Sequence, residues 1–82
     1  MTKTFQVSIY TREQTLYAGE AVSLIVPGEF GYLGVLAGHA PLVVRLSGGK
    51  ITIRVPGGDM RVIDSASGGF LQVLQDQATV LL

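Results

Sequence analysis

The sequence has no cysteine and no tryptophan, and only 15% of its 82 residues are charged. Without cysteine there is no disulfide framework and no thiolate chemistry, which fits a reducing compartment. Six Lys and Arg balance six Asp and Glu along the chain, so no basic stripe exists that could bind a nucleic acid. An average soluble domain is about 25% charged. The low charge predicts that another molecule covers part of the surface, unless the composition is accidental.

Long apolar runs are also missing. The most apolar stretch, residues 32–44, is interrupted by glycine, histidine and proline, and it is shorter than the ~20 residues of a membrane-spanning helix. Residues 1–6 lack the apolar core of a signal peptide and are not rich in arginine. We therefore expect no direct membrane insertion. Because 82 residues leave no room for a second domain, we expect one domain over residues 1–82.

The strongest positive signal is apolar residues at every second position, which is typical of half-buried strands. These positions are Phe5, Val7 and Ile9; Val22, Leu24 and Val26; Ile51, Ile53 and Val55; Leu71 and Val73; and Val80 and Leu82. Turn residues separate them, and the glycines at 48–49, 57–58 and 68–69 predict tight hairpins. Pro27-Gly28 and Asp76-Gln77 predict two further reversals. The sequence indicates an all-β fold of eight to ten short strands, packed as a sandwich rather than a barrel.

Residues 28–42 break this alternation. They carry glycines at positions 28, 31, 34 and 38 between strongly apolar side chains. Surface loops are usually polar, because their backbone groups need water. We therefore predict an irregular connection here whose apolar side chains are buried or face a partner protein.

Catalytic chemistry has little support in this chain. His39 is the one histidine, and as a metal ligand it would need carboxylate companions, since there is no second histidine or cysteine. Ser65, Ser67 and Asp64 could complete a triad only in principle, because no nucleophile-elbow sequence surrounds the serines. We expect no catalytic residue, no metal site and no cofactor.

Within residues 28–42 the spaced residues Gly28, Gly31, Leu33 and Gly34 precede the run Gly38-His39-Ala40-Pro41-Leu42. This order resembles the signature G-x-x-G-x-L-G-x-x-x-G-H-A-P-L in the N-terminal domain of the epsilon subunit of F-type ATP synthases. Residues 67–73, Ser-Gly-Gly-Phe-Leu-Gln-Val, are similar to the family's S-G-G-x-x-E-V strand. Residues 7–19 are similar to its opening, so the resemblance covers nearly the whole chain.

The resemblance implies a flattened β-sandwich of about ten short, mostly antiparallel strands. It implies a non-catalytic subunit of the central stalk, which clamps the gamma subunit to the c-ring and couples ion-driven rotation to ATP synthesis. The residues it places on the c-ring side are Glu29, Phe30, Gly31, Tyr32 and Leu33. Those it places on the gamma side are His39, Ala40, Pro41 and Leu42. The implied location is peripheral, on the cytoplasmic face of a bacterial inner membrane, with an organellar origin left open.

One departure from the family limits what the resemblance implies. Most members continue into a two-helix C-terminal hairpin, whereas this sequence ends at Leu82, either as a naturally short member or as a fragment. We therefore expect no nucleotide binding and no helix-based inhibition from these residues. Two other functions stay open: a generic all-β interaction module and a small hydrolase that uses His39.

Overall fold

The computed structural model describes residues 3–65 and 67–82. In these residues the chain forms nine strands and no helix. The strands are β1 (Phe5–Tyr10), β2 (Thr15–Ala21), β3 (Ser23–Gly28), β4 (Gly31–Leu36), β5 (Leu42–Leu46), β6 (Lys50–Arg54), β7 (Met60–Asp64), β8 (Gly69–Leu74) and β9 (Gln77–Leu81). The prediction of an all-β fold is confirmed, with nine strands where about ten were expected.

The nine strands form one continuous hydrogen-bonded sheet in the order β2-β1-β9-β8-β5-β3-β6-β7, with β4 along the opposite edge of β3. All pairs are antiparallel except β1 with β9. One layer contains β2, β1, β9, β8 and β5, and the other contains β4, β3, β6 and β7. A single residue pair, Gly28 with Leu46, connects the two layers through β3 and β5.

The core lies between the two layers and is built from the alternating residues of the inner strands. Leu24, Ile51, Ile53, Leu71 and Val80 are fully buried there. Burial of each such side chain contributes about 1.5–3 kcal/mol relative to exposure. The predicted alternation is therefore confirmed for most of the strands that it identified, and it is what fixes the register of the sheet.

The predicted run over residues 21–26 is two strands rather than one. β2 ends at Ala21 and β3 begins at Ser23, and the chain bends at Val22, whose N–H donates to the carbonyl of Arg54 (2.7 Å). The bend carries the chain from one layer to the other. It shifts the alternation by one position, so Ala21 and Leu24 are both buried.

Two of the predicted hairpins are connections between layers. The glycines at 48–49 join β5 to β6, and those at 68–69 join β7 to β8, and neither pair of strands shares hydrogen bonds. The fold still requires these glycines: a Cβ on Gly49 would lie 2.9 Å from Cβ of Pro27, and Gly68 has φ +105°. The glycines at 57–58 do form the β6–β7 hairpin.

The last hairpin differs from its prediction by one residue. Its turn residues are Gln75 and Asp76, with φ of 48° and 59°, and Gln77 already begins β9. Both turn residues are left-handed, as two-residue hairpins require, and a side-chain amide or carboxylate tolerates this conformation better than a branched one.

Candidate partner-binding surfaces

The segment predicted as an irregular connection contains a strand, so that prediction is wrong for residues 31–36. β4 pairs with β3 along its whole length, from Gly28 with Gly31 to Ser23 with Leu36. β3 is the one strand that β4 pairs with among the described residues. The other edge of β4 has no strand beside it, and its outer side chains are exposed. Because β4 is an edge strand, its alternation of buried and exposed residues is weak, although the strand still forms.

The tip of the β3–β4 hairpin is formed by Glu29 and Phe30, two of the residues predicted for the c-ring side. The N–H of Glu29 donates to the carbonyl of Arg45 (2.9 Å), which ties the base of the tip to β5. Phe30 is 95% exposed. A large aromatic ring therefore projects into solvent from a backbone that is held in place.

The other residues predicted for the c-ring side lie on different faces of β4. Tyr32 is 64% exposed on the outer face, and its hydroxyl accepts a long hydrogen bond from the N–H of Lys50 (3.4 Å). Leu33 alternates to the inner side and packs against the core. The exposed surface at this end thus comprises Glu29, Phe30, Gly31 and Tyr32, whereas Leu33 mainly stabilises the sandwich.

The second predicted group lies in the turn between β4 and β5. Gly38 has φ +82°, and the N–H of His39 donates to the carbonyl of Leu36 (3.2 Å). Nδ1 of His39 lies 2.7 Å from the carbonyl oxygen of Ala40. A carbonyl can only accept, so Nδ1 carries the proton in this contact and Nε2 is left for another partner. Ala40 is exposed.

The two ends of this turn are fixed to the rest of the fold. Pro41 is exposed, whereas Leu42 opens β5 and packs against the core. The N–H of Gly38 donates to Oδ1 of Asp76 (2.7 Å), and the carbonyl of Asp76 accepts the N–H of Gln6 (2.9 Å). The turn is therefore bonded to the β8–β9 turn, a link that no sequence motif indicated.

The two predicted groups lie at opposite ends of one strand. β4 has six residues, which at about 3.3 Å per residue separate the hairpin tip from the second turn by roughly 20 Å. The molecule is 36 Å along its longest axis. One chain segment can therefore contact two different bodies at once.

The fold requires glycine at some positions of residues 28–42 and not at others, for different structural reasons. A Cβ on Gly28 would lie 2.7 Å from the carbonyl oxygen of Gly31, and Gly31 and Gly38 have φ of +133° and +82°. Gly34 has no such need, because an added Cβ would meet nothing within 4 Å. The fold explains three of the four glycines, and it leaves a side-chain-free position on the outer face at Gly34.

Two exposed apolar surfaces escaped the sequence analysis. On the layer of β1, β9 and β8, Tyr10 pairs with Leu81 and Leu81 with Phe70, so three exposed side chains lie in one row across three strands. The guanidinium of Arg45 lies 5.6 Å from the centre of the Phe70 ring, a contact typical of a weak cation–π interaction. The sequence did contain an indication of this row, because apolar residues also occupy the outward-facing positions of these strands.

The second surface lies on the outer face of the other layer. Leu36 of β4 and Met60 of β7 share a row through the paired residues of β3 and β6, and Ile25 and Val62 share the next row. All four side chains are exposed. Ser23, Arg54 and Thr52 lie between them in the two rows, so the four side chains do not form a continuous apolar area of the kind that marks an interface.

Ser65, one of the serines considered for a catalytic triad, lies beside backbone carbonyls instead. Ser65 is buried, and its hydroxyl lies 3.0 Å and 2.9 Å from the carbonyl oxygens of Ser47 and Gly49. It therefore stabilises the β5–β6 connection. Among residues 3–65 and 67–82, no group of three or more His, Asp or Glu could hold a metal ion. In the same ranges no helix is long and apolar enough to cross a membrane.

Comparison with known proteins identifies the family. The sequence model described as "ATP synthase, Delta/Epsilon chain, beta-sandwich domain" matches residues 4–82. The chain belongs to this family. The ATP synthase epsilon chain of Laribacter hongkongensis strain HLHK9 is 45% identical over 78 residues, which are 95% of this chain and 56% of that protein. The epsilon chain of Neisseria gonorrhoeae is 40% identical over 76 residues, 93% of this chain and 54% of that one. The chain spans about half the length of these relatives.

Solved structures share the fold of this delta/epsilon sandwich. A chain of the Euglena gracilis mitochondrial ATP synthase, solved with OSCP, F1 and the c-ring, superposes with a TM-score of 0.88 at 21% identity. The match covers 95% of this chain and 49% of that one. A chain from the central stalk and c-ring of the Tetrahymena thermophila enzyme has a TM-score of 0.73 at 13% identity, covering 98% and 63%. At these identities the likeness concerns the fold alone.

Proposed function

We propose that this chain is the sandwich of a central-stalk rotor subunit, which clamps the gamma subunit to the c-ring of a rotary ATP synthase. The membership in the delta/epsilon family supports this function. The observation that carries it is the placement of two exposed turns at opposite ends of β4, one hydrogen-bonded to Arg45 of β5 and the other to Asp76 of the β8–β9 turn. A rotor clamp needs two contact regions that cannot move relative to each other.

In this proposal the exposed residues around Phe30 contact the polar loops of the c-ring, and the turn with His39, Ala40 and Pro41 contacts gamma. Leu33 and Leu42 support the two regions from the core side. The exposed row of Tyr10, Leu81 and Phe70 offers further apolar area, because stable interfaces have an apolar centre with aromatic residues.

The subunit itself would be non-catalytic and peripheral, on the cytoplasmic face of a bacterial inner membrane. It would couple ion-driven rotation of the c-ring to ATP synthesis in the catalytic head by transmitting torque to gamma. The arrangement of Ser65 and His39 with backbone carbonyls supports structural roles for both side chains. No cofactor and no nucleotide is part of this proposal.

The test is co-sedimentation of the chain with gamma and with a detergent-solubilised c-ring from the same organism. We expect the chain to bind gamma, and the gamma complex to retain the c-ring only when the chain is present. A folded chain that binds neither body would refute the proposal. Selective binding of a peptide or glycan from a ligand array would then favour the generic interaction module.

A further inference from the structure

Asp76 makes hydrogen bonds to two distant parts of the chain. It occupies the β8–β9 turn with φ +59°. Its backbone carbonyl accepts the N–H of Gln6 (2.9 Å), and its carboxylate oxygen Oδ1 accepts the N–H of Gly38 (2.7 Å). One residue therefore connects the start of β1 and the β4–β5 turn to the β8–β9 hairpin.

Ala37 and Leu42 anchor the ends of the β4–β5 turn against the core, whereas its middle needs a further connection to the rest of the fold. Residues 37–41 belong to no strand, and Gly38 has no Cβ to restrict its backbone. The hydrogen bonds of His39 to Leu36 and Ala40 are local and would move together with the turn. The hydrogen bond to Asp76 instead joins residues that are 38 positions apart in the sequence, and it fixes the turn against the β8–β9 hairpin.

We propose that the carboxylate of Asp76 holds the β4–β5 turn in the conformation that docks on gamma. Asp76 is then a positioning residue: it determines the affinity of the turn for gamma through Gly38. A turn that is ordered before docking avoids the entropy cost of ordering on contact. This inference rests on the proposed function, since it takes gamma as the partner of the turn.

Three substitutions separate this role from general support of the hairpin. Asp76→Gly removes the acceptor, and glycine keeps the left-handed backbone without strain. Asp76→Asn keeps a side-chain oxygen that can accept the N–H of Gly38, and asparagine tolerates positive φ. Gln75→Gly is the matched control, because Gln75 has φ +48° in the same turn.

The experiment measures the dissociation constant of each full 82-residue variant for the synthase complex stripped of its own copy of this subunit. We expect Asp76→Gly to weaken binding about tenfold, equivalent to about 1.4 kcal/mol. We expect Asp76→Asn and Gln75→Gly to stay within about twofold of the unmodified chain, because both keep an acceptor for Gly38. In NMR spectra, the Gly38 amide proton should move upfield and exchange faster only in Asp76→Gly, while all variants keep the dispersed spectrum of the folded sandwich.

The outcomes distinguish this inference from the proposed function. If the unmodified chain does not bind the stripped complex, the proposed function fails and the inference fails with it. If the unmodified chain binds and Asp76→Gly binds equally well despite a changed Gly38 signal, the inference alone is wrong. An equal loss of affinity in Gln75→Gly, or no rescue by Asp76→Asn, would also overturn it, because the effect would then not come from the hydrogen bond to Gly38.

Discussion

Truncation of Phe30 to alanine tests the c-ring end of the clamp without disturbing the sandwich. Phe30 is 95% exposed, so its removal takes almost nothing from the core, and we expect the free energy of unfolding to change by less than about 0.5 kcal/mol. A charge at Leu33 would be a poorer probe, because this side chain packs against the core and its replacement would destabilise the fold as well as any interface.

The expected loss of affinity follows from the area of the ring. An aromatic side chain can bury about 150–250 Å², which at about 25 cal/mol per Å² corresponds to roughly 4–6 kcal/mol as an upper limit. Ordering of the ring and its incomplete coverage reduce this value, and aromatic anchors at interface centres typically cost about 2 kcal/mol or more on truncation. We therefore expect Phe30→Ala to raise the dissociation constant about thirtyfold.

The assay titrates the detergent-solubilised c-ring onto a preformed complex of the labelled chain with gamma and, separately, gamma onto the labelled chain alone. Only the first constant should change, because Phe30 and the β4–β5 turn lie at opposite ends of β4. Met60→Ala is the control, since Met60 is also exposed, at 53%, but lies on β7; this variant should bind like the unmodified chain. If the complex of gamma with folded Phe30→Ala binds the c-ring with unchanged affinity, the assignment of the hairpin tip is refuted.

Four further variants test the fold and the limits of the interface. Gly69→Ala should cost about 3 kcal/mol in urea unfolding, because its Cβ would overlap the carbonyl oxygen of Leu81, whereas Gly34→Ala, with open space around it, should change stability by less than about 0.5 kcal/mol; equal midpoints would contradict this packing. Leu24→Ala should cost about 2–5 kcal/mol by the same measurement, because Leu24 is fully buried, and a loss below 1 kcal/mol would place Leu24 outside the core. Arg54→Ala should leave both stability and gamma binding unchanged, because this side chain is exposed on the outer face; a loss comparable to that of Phe30→Ala would move the interface to that face.

The sequence was most informative for strands that have two neighbours in the sheet. β1, β6, β8 and β9 each lie between two strands, so one face is buried and the alternation is clear. β2, β4 and β7 each pair with a single strand and show weak burial patterns, because half of their contacts are missing. β5 was hidden for another reason: it is apolar on both faces, and Val43 is largely exposed.

The candidate site was predictable in sequence position but not in orientation. Residues 28–42 were singled out because glycines interrupt an apolar stretch, and both exposed turns lie in that segment. That Leu33 and Leu42 face inward depends on the register of β4 and β5, which a local pattern with glycines does not define. The outward apolar positions indicate the members of the row, but Tyr10 becomes a neighbour of Leu81 and Phe70 only when the distant strand β1 pairs with β9.

The parallel pairing of β1 with β9 constrains how the chain can be made. Gln6 pairs with Gln77, so almost the whole sequence must be synthesised before the first strand meets its second neighbour. At about 5–20 residues per second, the interval on the ribosome is roughly 4–14 s. During that time the edge of β1 that pairs with β9 has no hydrogen-bonding partner. Such long-range closure is intrinsically slow, and the incomplete sheet is open to aggregation. We therefore expect the yield of this protein in a cell to depend on protection of the nascent chain as well as on the stability of the finished sandwich.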